Sequence, residues 1–361
     1  MNPLRPKKVL MKGNEAIAEA ALRAGCRAYF GYPITPQNEL IAYMAAHIMD
    51  RGGVFIQAES EVAAINMVYG ASAAGARSMT SSSSPGISLK QEGISYAAGA
   101  DIPLVAVNVV RGGPGLGSIA PAQGDYFQAT RGGGHGDYRC IVLAPKSVQE
   151  CADLTFLAFE LADAYRMPAI ILADGIIGQM MEGVVLPDAI DPARLPPRDW
   201  AVGHRQGRQA RRISSLNLSP ESMEAQIRER FARYETLRER EVRYECSGED
   251  GDLIMVAYGT AARVALGAQQ LAAQAGIRLG LFRPVSLWPF PAEALARFAA
   301  EGKPILTVEM SMGQLVEDVK LAVFGKTPPN TVHLLSRCGG VVPQEAEVFA
   351  AAKAILDQGK D

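Results

Sequence analysis

The chain has 361 residues, enough for two domains, and 48% of them are apolar and 20% charged. Its formal net charge is −2, so charge gives no reason to expect nucleic acid or an anionic membrane as a partner. No apolar run reaches the roughly 18 residues that span a bilayer, and the basic first residues lack the apolar stretch of a signal peptide. We therefore expect a cytoplasmic protein.

Helical and strand patterns alternate up to residue 186. The alanine-rich stretch GNEAIAEAALRAGC predicts a helix, AYFGYP a short strand, and EVAAINMVYGASAAG a buried helix whose small residues allow close packing. PLVAVNVV and PAIILAD are apolar runs typical of strands covered on both faces, and SVQECADLTFLAFELADAYR predicts a long helix between them. The alternation indicates a doubly wound, mostly parallel α/β sheet over residues 1–186.

The pattern changes between residues 187 and 250. LPDAIDPARLPPRDWAVGHRQGRQARR is rich in proline and arginine, and an apolar stripe follows within a highly charged stretch. We predict a connector that ends in a charged surface helix. Its arginines could bind an anionic ligand or a partner subunit, or they could face water. From 251 to 361 the alternation returns in DLIMVAYGT, AARVALGAQQLAAQAG and IRLGLFRP, which predicts a second, smaller doubly wound domain.

The cysteines are scattered, and none form a C-x-x-C pair. This spacing argues against a disulfide framework and against an iron–sulfur cluster or zinc site held by this chain alone. The five are Cys26, Cys140, Cys151, Cys246 and Cys338.

Two familiar motifs are excluded by their spacing. RGGPGLGS, residues 111–118, follows a predicted buried strand but matches neither G-x-G-x-x-G nor G-x-x-x-x-G-K-[ST]. No G-x-S-x-G nucleophile elbow occurs, and GASAAG has the wrong spacing. A nicotinamide-dependent enzyme or a hydrolase therefore has little support.

The remaining chemical signals follow the ends of predicted strands. Thr35 lies between two prolines in YPITP, Glu59 and Glu61 precede a predicted helix, and Arg111 follows PLVAVNVV. The turn TSSSSPGISLKQEG, residues 80–93, adds a row of hydroxyls. Each has an ordinary explanation as a cap, a dipole partner or a surface charge. Together they predict a hydroxyl, a carboxylate and a guanidinium at one edge of one sheet, where ligands bind in open α/β folds.

Long stretches of the chain resemble one family. They are KGNEAIAEAALRAGCRAYFGYPITPQNEL, QAESEVAAINMVYGASAAGARSMTSSSSPGISLKQEGISYAAGADIPLVAVNVVRGGPGLG, GGGHGDYRCIVLAP, FRPVSLWPFP and VEMSMGQLVEDV. These resemble the α subunit of 2-oxoacid:ferredoxin oxidoreductases, most closely the branched-chain type that acts on 2-ketoisovalerate (3-methyl-2-oxobutanoate). The resemblance covers nearly the whole chain and is weakest across residues 187–250.

The resemblance implies an oxidoreductase subunit with a thiamine diphosphate pyrimidine-binding domain and a transketolase C-terminal-like domain. The chain lacks the G-D-G motif of the diphosphate-binding domain, so a β subunit is expected to share thiamine diphosphate and to hold Mg²⁺. The [4Fe-4S] clusters are expected on γ and ferredoxin-like subunits. The implied reaction is CoA-dependent oxidative decarboxylation of a 2-oxoacid, with ferredoxin as electron acceptor, in the branched-chain amino acid metabolism of an anaerobic organism.

The resemblance also implies roles for the residues at the strand ends. Glu61 matches the glutamate that hydrogen-bonds N1′ of the cofactor pyrimidine so that its 4′-imino group can remove the C2 proton; Glu59 is the alternative. Arg111 matches the arginine that binds the substrate carboxylate, and Thr35 a hydroxyl that donates to the substrate. No metal ligand is implied on this chain. The other implied cofactor-binding residues are Tyr32, Pro33, Ser84 and Gly86.

Two alternatives stay open at this point. The chain could be a non-catalytic assembly subunit that keeps the fold but not the site, although Thr35, Glu61 and Arg111 together argue against this. The substrate could instead be 2-oxoglutarate or an aryl pyruvate. A dicarboxylate would need a second cation, for which the candidates are Lys90, Arg131 and His135.

Overall fold

The computed structural model of the chain describes residues 8–203, 207–299, 302–325 and 331–359. Its strands are β1 (Val9–Lys12), β2 (Ala28–Gly31), β3 (Val54–Gln57), β4 (Ser78–Ser82), β5 (Leu104–Val110), β6 (Ile141–Leu143), β7 (Pro168–Asp174), β8 (Met181–Val184), β9 (Tyr244–Ser247), β10 (Leu253–Val256), β11 (Leu279–Pro284), β12 (Ser286–Trp288), β13 (Ile305–Glu309) and β14 (Val332–Ser336).

The α-helices of the described residues alternate with these strands, as the sequence predicts. They are α1 (Gly13–Arg23), α2 (Asn38–His47), α3 (Glu61–Ala73), α4 (Ser84–Gly99), α5 (Tyr126–Arg131), α6 (Val148–Tyr165), α7 (Gly175–Gln179), α8 (Pro220–Arg240), α9 (Gly259–Gln274), α10 (Ala292–Phe298), α11 (Leu315–Val323) and α12 (Glu345–Gln358). Single 3-10 turns lie at Met49–Arg51 and Pro192–Arg194. No helix in the described ranges is both long and apolar enough to cross a membrane.

The first sheet has seven strands in the order β12-β6-β7-β5-β4-β2-β3. All neighbours pair in parallel except β12, which runs antiparallel to β6. Every residue of β5 and β7 is buried, because α1, α2 and α6 form one group of packed helices and α3 and α4 form another. A strand covered on both faces has no need of polar alternation, which explains the continuous apolar runs in the sequence.

The second sheet has five strands in the order β14-β13-β10-β11-β9. Only β9 is antiparallel, at one edge. The predicted doubly wound α/β class is therefore confirmed for both sheets. Two edge strands differ from the expected division: β9 lies in the segment assigned to the connector, and β12 comes from the second half of the chain but completes the first sheet. The domain boundaries themselves stay a prediction.

Several arginines of the connector bind the chain itself. Arg198 pairs with Asp163, and both Arg230 and Arg233 pair with Asp101, in the loop before β5. The predicted charged helix is α8, and it is anchored rather than superficial: its Tyr234 side chain is buried. At these positions the connector is neither a solvated arm nor a free basic surface. Part of the predicted basic run, residues 204–206, lies outside the described residues.

Candidate active site

Four chain segments meet at the carboxyl edge of the first sheet. They follow β2, β3, β4 and β5, which are adjacent and parallel. Arg111 Nη1 donates to the carbonyl oxygen of Thr35 at 3.0 Å, and the Arg111 backbone N–H donates to Ser84 Oγ at 3.1 Å. A Cβ built on Gly86 would lie 2.6 Å from Glu61 Oε1. The structure thus brings together the hydroxyl, carboxylate and guanidinium that the sequence predicts at one edge.

The Thr35 loop is held by polar contacts as well as by its prolines. Asn14 Nδ2 and Gln179 Nε2 each donate to the carbonyl oxygen of Pro36 at 2.8 Å. Asn38 Nδ2 donates to Thr35 Oγ1 at 3.3 Å, so the hydroxyl accepts this bond and keeps its own hydrogen for a ligand. Sequence reasoning missed Asn14 and Gln179. The available signal was Asn14 itself, a polar residue near the start of an alanine-rich helix, which the structure shows to be fully buried.

The other two predicted residues of this loop lie beside Thr35. Tyr32 is 37% exposed, and its backbone carbonyl accepts a hydrogen bond from Gln37 Nε2 at 3.3 Å. Pro33 is exposed. Both are therefore accessible to a ligand or to another chain at this edge.

Glu61 and Glu59 lie in different environments. Glu61 is the first residue of α3 and is 7% exposed, whereas Glu59 is exposed. The helix is capped by Ser60, whose side chain accepts from the backbone N–H of Ala63 at 3.2 Å, so Glu61 is not needed as a cap. No described residue donates a hydrogen bond to the Glu61 carboxylate. A nearly buried carboxylate without a donor is an acceptor site for a ligand.

Lys90, the third candidate residue in this region, lies on α4 four residues after Gly86. It is fully buried, and its Nζ donates to Thr80 Oγ1 on β4 at 3.0 Å. Burial lowers the pKa of Lys90 to about 8, and the charge of Glu61 opposes that shift. With no exposed surface, Lys90 is not placed to serve as a second cation for a dicarboxylate substrate.

The other two candidates for a second cation have their own partners. Arg131 forms an ion pair with Asp318 at 3.1 Å and lies over the Phe127 ring at 5.0 Å. His135 is exposed and packs edge-on against Tyr96, with the ring centroids 6.2 Å apart.

Arg111 joins two loops. Besides its bond to Thr35, its Nη2 donates to the carbonyl oxygen of Leu116 at 3.1 Å, within the glycine-rich loop of residues 111–118. Its Nε is buried and has no partner. A guanidinium has five N–H donors, and these two bonds leave donors on Nε and on both terminal nitrogens for an anion. The fixed position of the group is therefore compatible with the predicted carboxylate-binding role.

The serine turn before α4 contains unsatisfied hydroxyls. Ser82 Oγ and Ser83 Oγ are buried without hydrogen-bond partners. Ser84 is tied more firmly: its backbone N–H donates to Asn108 Oδ1 at 3.1 Å, and Asn108 Nδ2 donates to Asp125 Oδ2 at 2.8 Å. Burial raises the pKa of the Asp125 carboxyl above its usual value. Orphaned polar atoms of this kind mark a place where a ligand completes the hydrogen bonding.

Two family models together match most of the chain. Residues 19–245 match the thiamine diphosphate-binding part of pyruvate flavodoxin/ferredoxin oxidoreductases. The chain belongs to this family. Residues 251–348 match core domain II of pyruvate:ferredoxin oxidoreductase.

Curated members of the family are similar over nearly their full length. The ketoisovalerate oxidoreductase subunit VorB of Methanothermobacter marburgensis is 46% identical over 353 residues, which is 98% of this chain and 99% of that protein. The 2-oxoglutarate synthase subunit KorA of Archaeoglobus fulgidus is 41% identical over 86% of this chain and 90% of that protein. Both relatives are named as subunits of larger enzymes.

Solved structures show the same architecture. The 2-oxoglutarate:ferredoxin oxidoreductase of Magnetococcus marinus, with 2-oxoglutarate, coenzyme A and succinyl-CoA bound, superposes with a TM-score of 0.85 at 27% identity; the match covers 97% of this chain and 66% of that one. A split-gene transketolase in an inactive β4 tetramer shares the fold, with a TM-score of 0.56 at 13% identity.

The residues of this family member fit the pyrimidine half of thiamine diphosphate. Gly86 forms a cradle, because a Cβ there would lie 2.1 Å from Ser82 Oγ and would also collide with the Glu61 carboxylate. The carboxylate and the two serine hydroxyls supply a free acceptor and free donors beside that cradle. Within the described residues, no group of three or more histidine, cysteine, aspartate or glutamate side chains is arranged to hold a metal ion.

Proposed function

We propose that this chain is the pyrimidine-binding subunit of a 2-oxoacid:ferredoxin oxidoreductase that converts 2-ketoisovalerate to its acyl-CoA and CO₂ with reduction of ferredoxin. The observation that carries the proposal is the Glu61 carboxylate, nearly buried, without a protein donor and packed against Gly86. A carboxylate in this state is suited to hydrogen-bond a ring nitrogen of a cofactor.

Each residue of the site has a separate role in this proposal. Glu61 holds a proton at N1′ of the pyrimidine. Arg111 binds the substrate carboxylate through the guanidinium N–H groups left free by Thr35 and Leu116, and the Thr35 hydroxyl donates to the substrate. When bound, thiamine diphosphate supplies the nucleophilic carbon and the electron sink for decarboxylation. Tyr32, Pro33, Ser84 and Gly86 line the cofactor.

The surroundings of Arg111 favour a monocarboxylate with an apolar side chain. Leu116 and Ile119, in the loop that Arg111 holds, are 85% and 67% exposed. Of the three candidate second cations, Lys90 is buried and Arg131 is paired with Asp318. The 46% identity to a ketoisovalerate oxidoreductase subunit supports the same choice, while 2-oxoglutarate, the substrate named for the 41% identical relative, is the second candidate.

The active unit in this proposal is a hetero-oligomer. A β subunit supplies the diphosphate-binding half of the cofactor site with Mg²⁺, and γ and ferredoxin-like subunits carry the [4Fe-4S] clusters. Coenzyme A takes the acyl group. The names of the relatives, which describe subunits, support this assembly, and we place it in the cytoplasm.

The test is the activity of the co-expressed complex, loaded with thiamine diphosphate, on 2-ketoisovalerate, pyruvate, 2-oxoglutarate and phenylpyruvate with coenzyme A and a viologen acceptor. We expect the highest kcat/KM on 2-ketoisovalerate. A preference for 2-oxoglutarate would overturn the substrate, and a loaded complex that is inactive on every 2-oxoacid would indicate an assembly subunit.

A further inference from the structure

Two amide side chains bond both to the loop of Thr35 and to one carboxylate, that of Glu39 in the first turn of α2. Asn14 Nδ2 donates to the carbonyl oxygen of Pro36 at 2.8 Å and to Glu39 Oε2 at 3.0 Å. Gln179 Nε2 donates to the same two oxygens, each at 2.8 Å. These four bonds form a closed ring, the Glu39 network, in which both hydrogens of each amide are used.

The acceptors of the Glu39 network fix how each amide is turned. The carbonyl oxygen of Pro36 and the carboxylate oxygen of Glu39 accept hydrogen bonds and donate none. An amide rotated by half a turn would place its own oxygen against both of them. An apolar side chain in place of Glu39 would leave one hydrogen of each amide unbonded and would remove the charge that favours the observed orientation. Glu39 therefore determines which side of each amide faces Pro36.

A separate two-stranded sheet brings the partners of Glu39 together. β1 pairs antiparallel with β8, and the pair at one end of this ladder is Lys12 with Met181. Asn14 lies two residues after Lys12, and Gln179 lies two residues before Met181, so both amides lie just beyond the same end of the ladder. Lys12 Nζ also pairs with Glu39 Oε1 at 2.9 Å. The small sheet thus places two amides and one ammonium around a single carboxylate.

The Glu39 network holds the carbonyl group next to the one that Arg111 holds. Arg111 Nη1 donates to the carbonyl oxygen of Thr35 at 3.0 Å, and the two amides donate to the carbonyl oxygen of Pro36. Two consecutive carbonyl groups are therefore fixed by different parts of the chain. A glutamate in the first turn of a helix also compensates the helix dipole, but that role does not require two amides to converge on it.

We propose that Glu39 is a positioning residue for the reaction: through its network of hydrogen bonds it sets the position of the Thr35 loop relative to Arg111. This role rests on the proposed function, in which Thr35 and Arg111 bind the 2-oxoacid. A loop displaced from Arg111 would present the hydroxyl and the guanidinium in the wrong relative position, and a misplacement of about 1 Å can lower a rate about 10²-fold. Glu39 acts on the substrate only through the loop.

The test replaces Glu39 in the co-expressed complex and measures the substrate and cofactor steps separately. Glu39→Leu removes the acceptor of both amides, and we expect KM for 2-ketoisovalerate to rise about tenfold. The Kd for thiamine diphosphate and the exchange of its C2 proton should keep their wild-type values, because Glu61 begins α3 after a different strand. Glu39→Gln keeps one oxygen for the two amides and should restore the wild-type KM, since the Lys12 side chain that it releases is 32% exposed and can turn to water.

Two further variants keep the experiment decisive. Gln179→Leu removes one of the two amides at an exposed position, so it should raise KM in the same direction even if Glu39→Leu fails to assemble. Glu19→Leu is the matched control. The Glu19 carboxylate also accepts from three side chains, none of them in the Thr35 loop, so its loss should lower stability and leave KM unchanged.

The outcomes separate this inference from the proposed function. An unchanged KM in a folded Glu39→Leu or Gln179→Leu complex, or an equal rise of KM in Glu19→Leu, overturns the positioning role of Glu39 and leaves the proposed function standing. A wild-type complex that is inactive on every 2-oxoacid overturns the proposed function, and the role of Glu39 with it.

Discussion

Each of the two sheets has a buried glutamate near the carboxyl end of a parallel strand, and the two differ in how they are satisfied. Glu309, the last residue of β13, accepts backbone N–H bonds from Gln314 at 2.9 Å and from Leu315 and Val316 at 3.1 Å. Glu61, after β3, receives no hydrogen bond from the described residues. Burial is therefore common to both carboxylates, and what separates them is the number of hydrogen bonds that each already accepts from the protein. In the proposed function, Glu61 uses acceptor positions that Glu309 has already filled.

The largest effect should come from removing the charge of the unsatisfied glutamate. Glu61→Gln should lower turnover by about 10²–10⁴-fold, the usual contribution of a general acid–base group, and leave folding and assembly intact. The measurement is exchange of the C2 proton of bound thiamine diphosphate, followed by NMR after acid quench. Glu59→Gln is the matched control and should be mild, because Glu59 is exposed. Slow exchange in the Glu59 variant alone would move the assignment by two residues.

Arg111→Ala should raise KM for the 2-oxoacid by roughly 30- to 1000-fold through loss of a charge-assisted contact. Cofactor binding should survive, because Arg111 contacts the loops of Thr35 and Leu116 and not Glu61. Steady-state kinetics and the Kd for thiamine diphosphate separate the two effects. Arg297→Ala, at an exposed arginine of α10, controls for loss of positive charge. A weaker Kd with normal KM would assign Arg111 to the cofactor site or to the fold.

Substitution of Glu309, which already accepts three backbone hydrogen bonds, should affect stability and not turnover. Glu309→Gln should lower the free energy of unfolding by about 2–3 kcal/mol, because an amide has one acceptor oxygen and leaves N–H groups at the start of α11 unpaired. The kcat of the folded protein should change little. Urea unfolding of the full chain, with activity of the assembled complex, measures both. Lost turnover at unchanged stability would contradict the structural role.

The smallest expected effect is that of Lys90→Met on the free energy of unfolding, and it depends on pH. The pKa of Lys90 is lowered by burial to about 8, so between that value and 10.5 the unfolded chain binds the proton more tightly than the folded one. The cost of burying the charge is complete below pH 8 and disappears as the pH rises to 10.5. Lys90→Met should therefore raise the free energy of unfolding at neutral pH by about 1–3 kcal/mol, and the gain should shrink above pH 8. A gain that stays constant with pH would show that packing, and not charge, is responsible.

Much of the alternation of helices and strands was predictable from the sequence because the central parallel strands β5, β7 and β10 are apolar runs that are buried throughout. The edge strands β9 and β12 were not. They have four and three residues, and their partners are distant in the sequence, so no local pattern identifies them. As a result, β12 places part of the second half of the chain in the first sheet, and β9 places part of the connector in the second sheet.

The proximity of the predicted site residues was predictable from their motifs, whereas their roles stay a prediction. Thr35, Glu61, Ser84, Gly86 and Arg111 were placed together by the resemblance and by the rule that ligands bind at strand ends. The burial of Lys90 was not predictable, because SPGISLKQEG is polar on several sides of the helix and gives no sign of which side faces inward. Two backbone carbonyls accept hydrogen bonds from the Arg111 guanidinium. These bonds depend on the geometry of the loops, which the spacing of residues in the sequence does not encode.

The pairing of β12 with β6 has a consequence for synthesis of the chain, because β12 comes late in the sequence but belongs to the first sheet. Until Trp288 has left the ribosome, β6 is an open edge strand at the border of the first sheet, and unpaired edges of this kind promote aggregation. Trp288 also packs edge-on against Tyr234 of α8, with the ring centroids 5.5 Å apart, so the connector helix lacks part of its core until the same moment. The half that matches the thiamine diphosphate-binding family model therefore depends on later residues to complete its sheet, and a gene fragment cut at the family-model boundary near residue 250 would produce a sheet without its last strand.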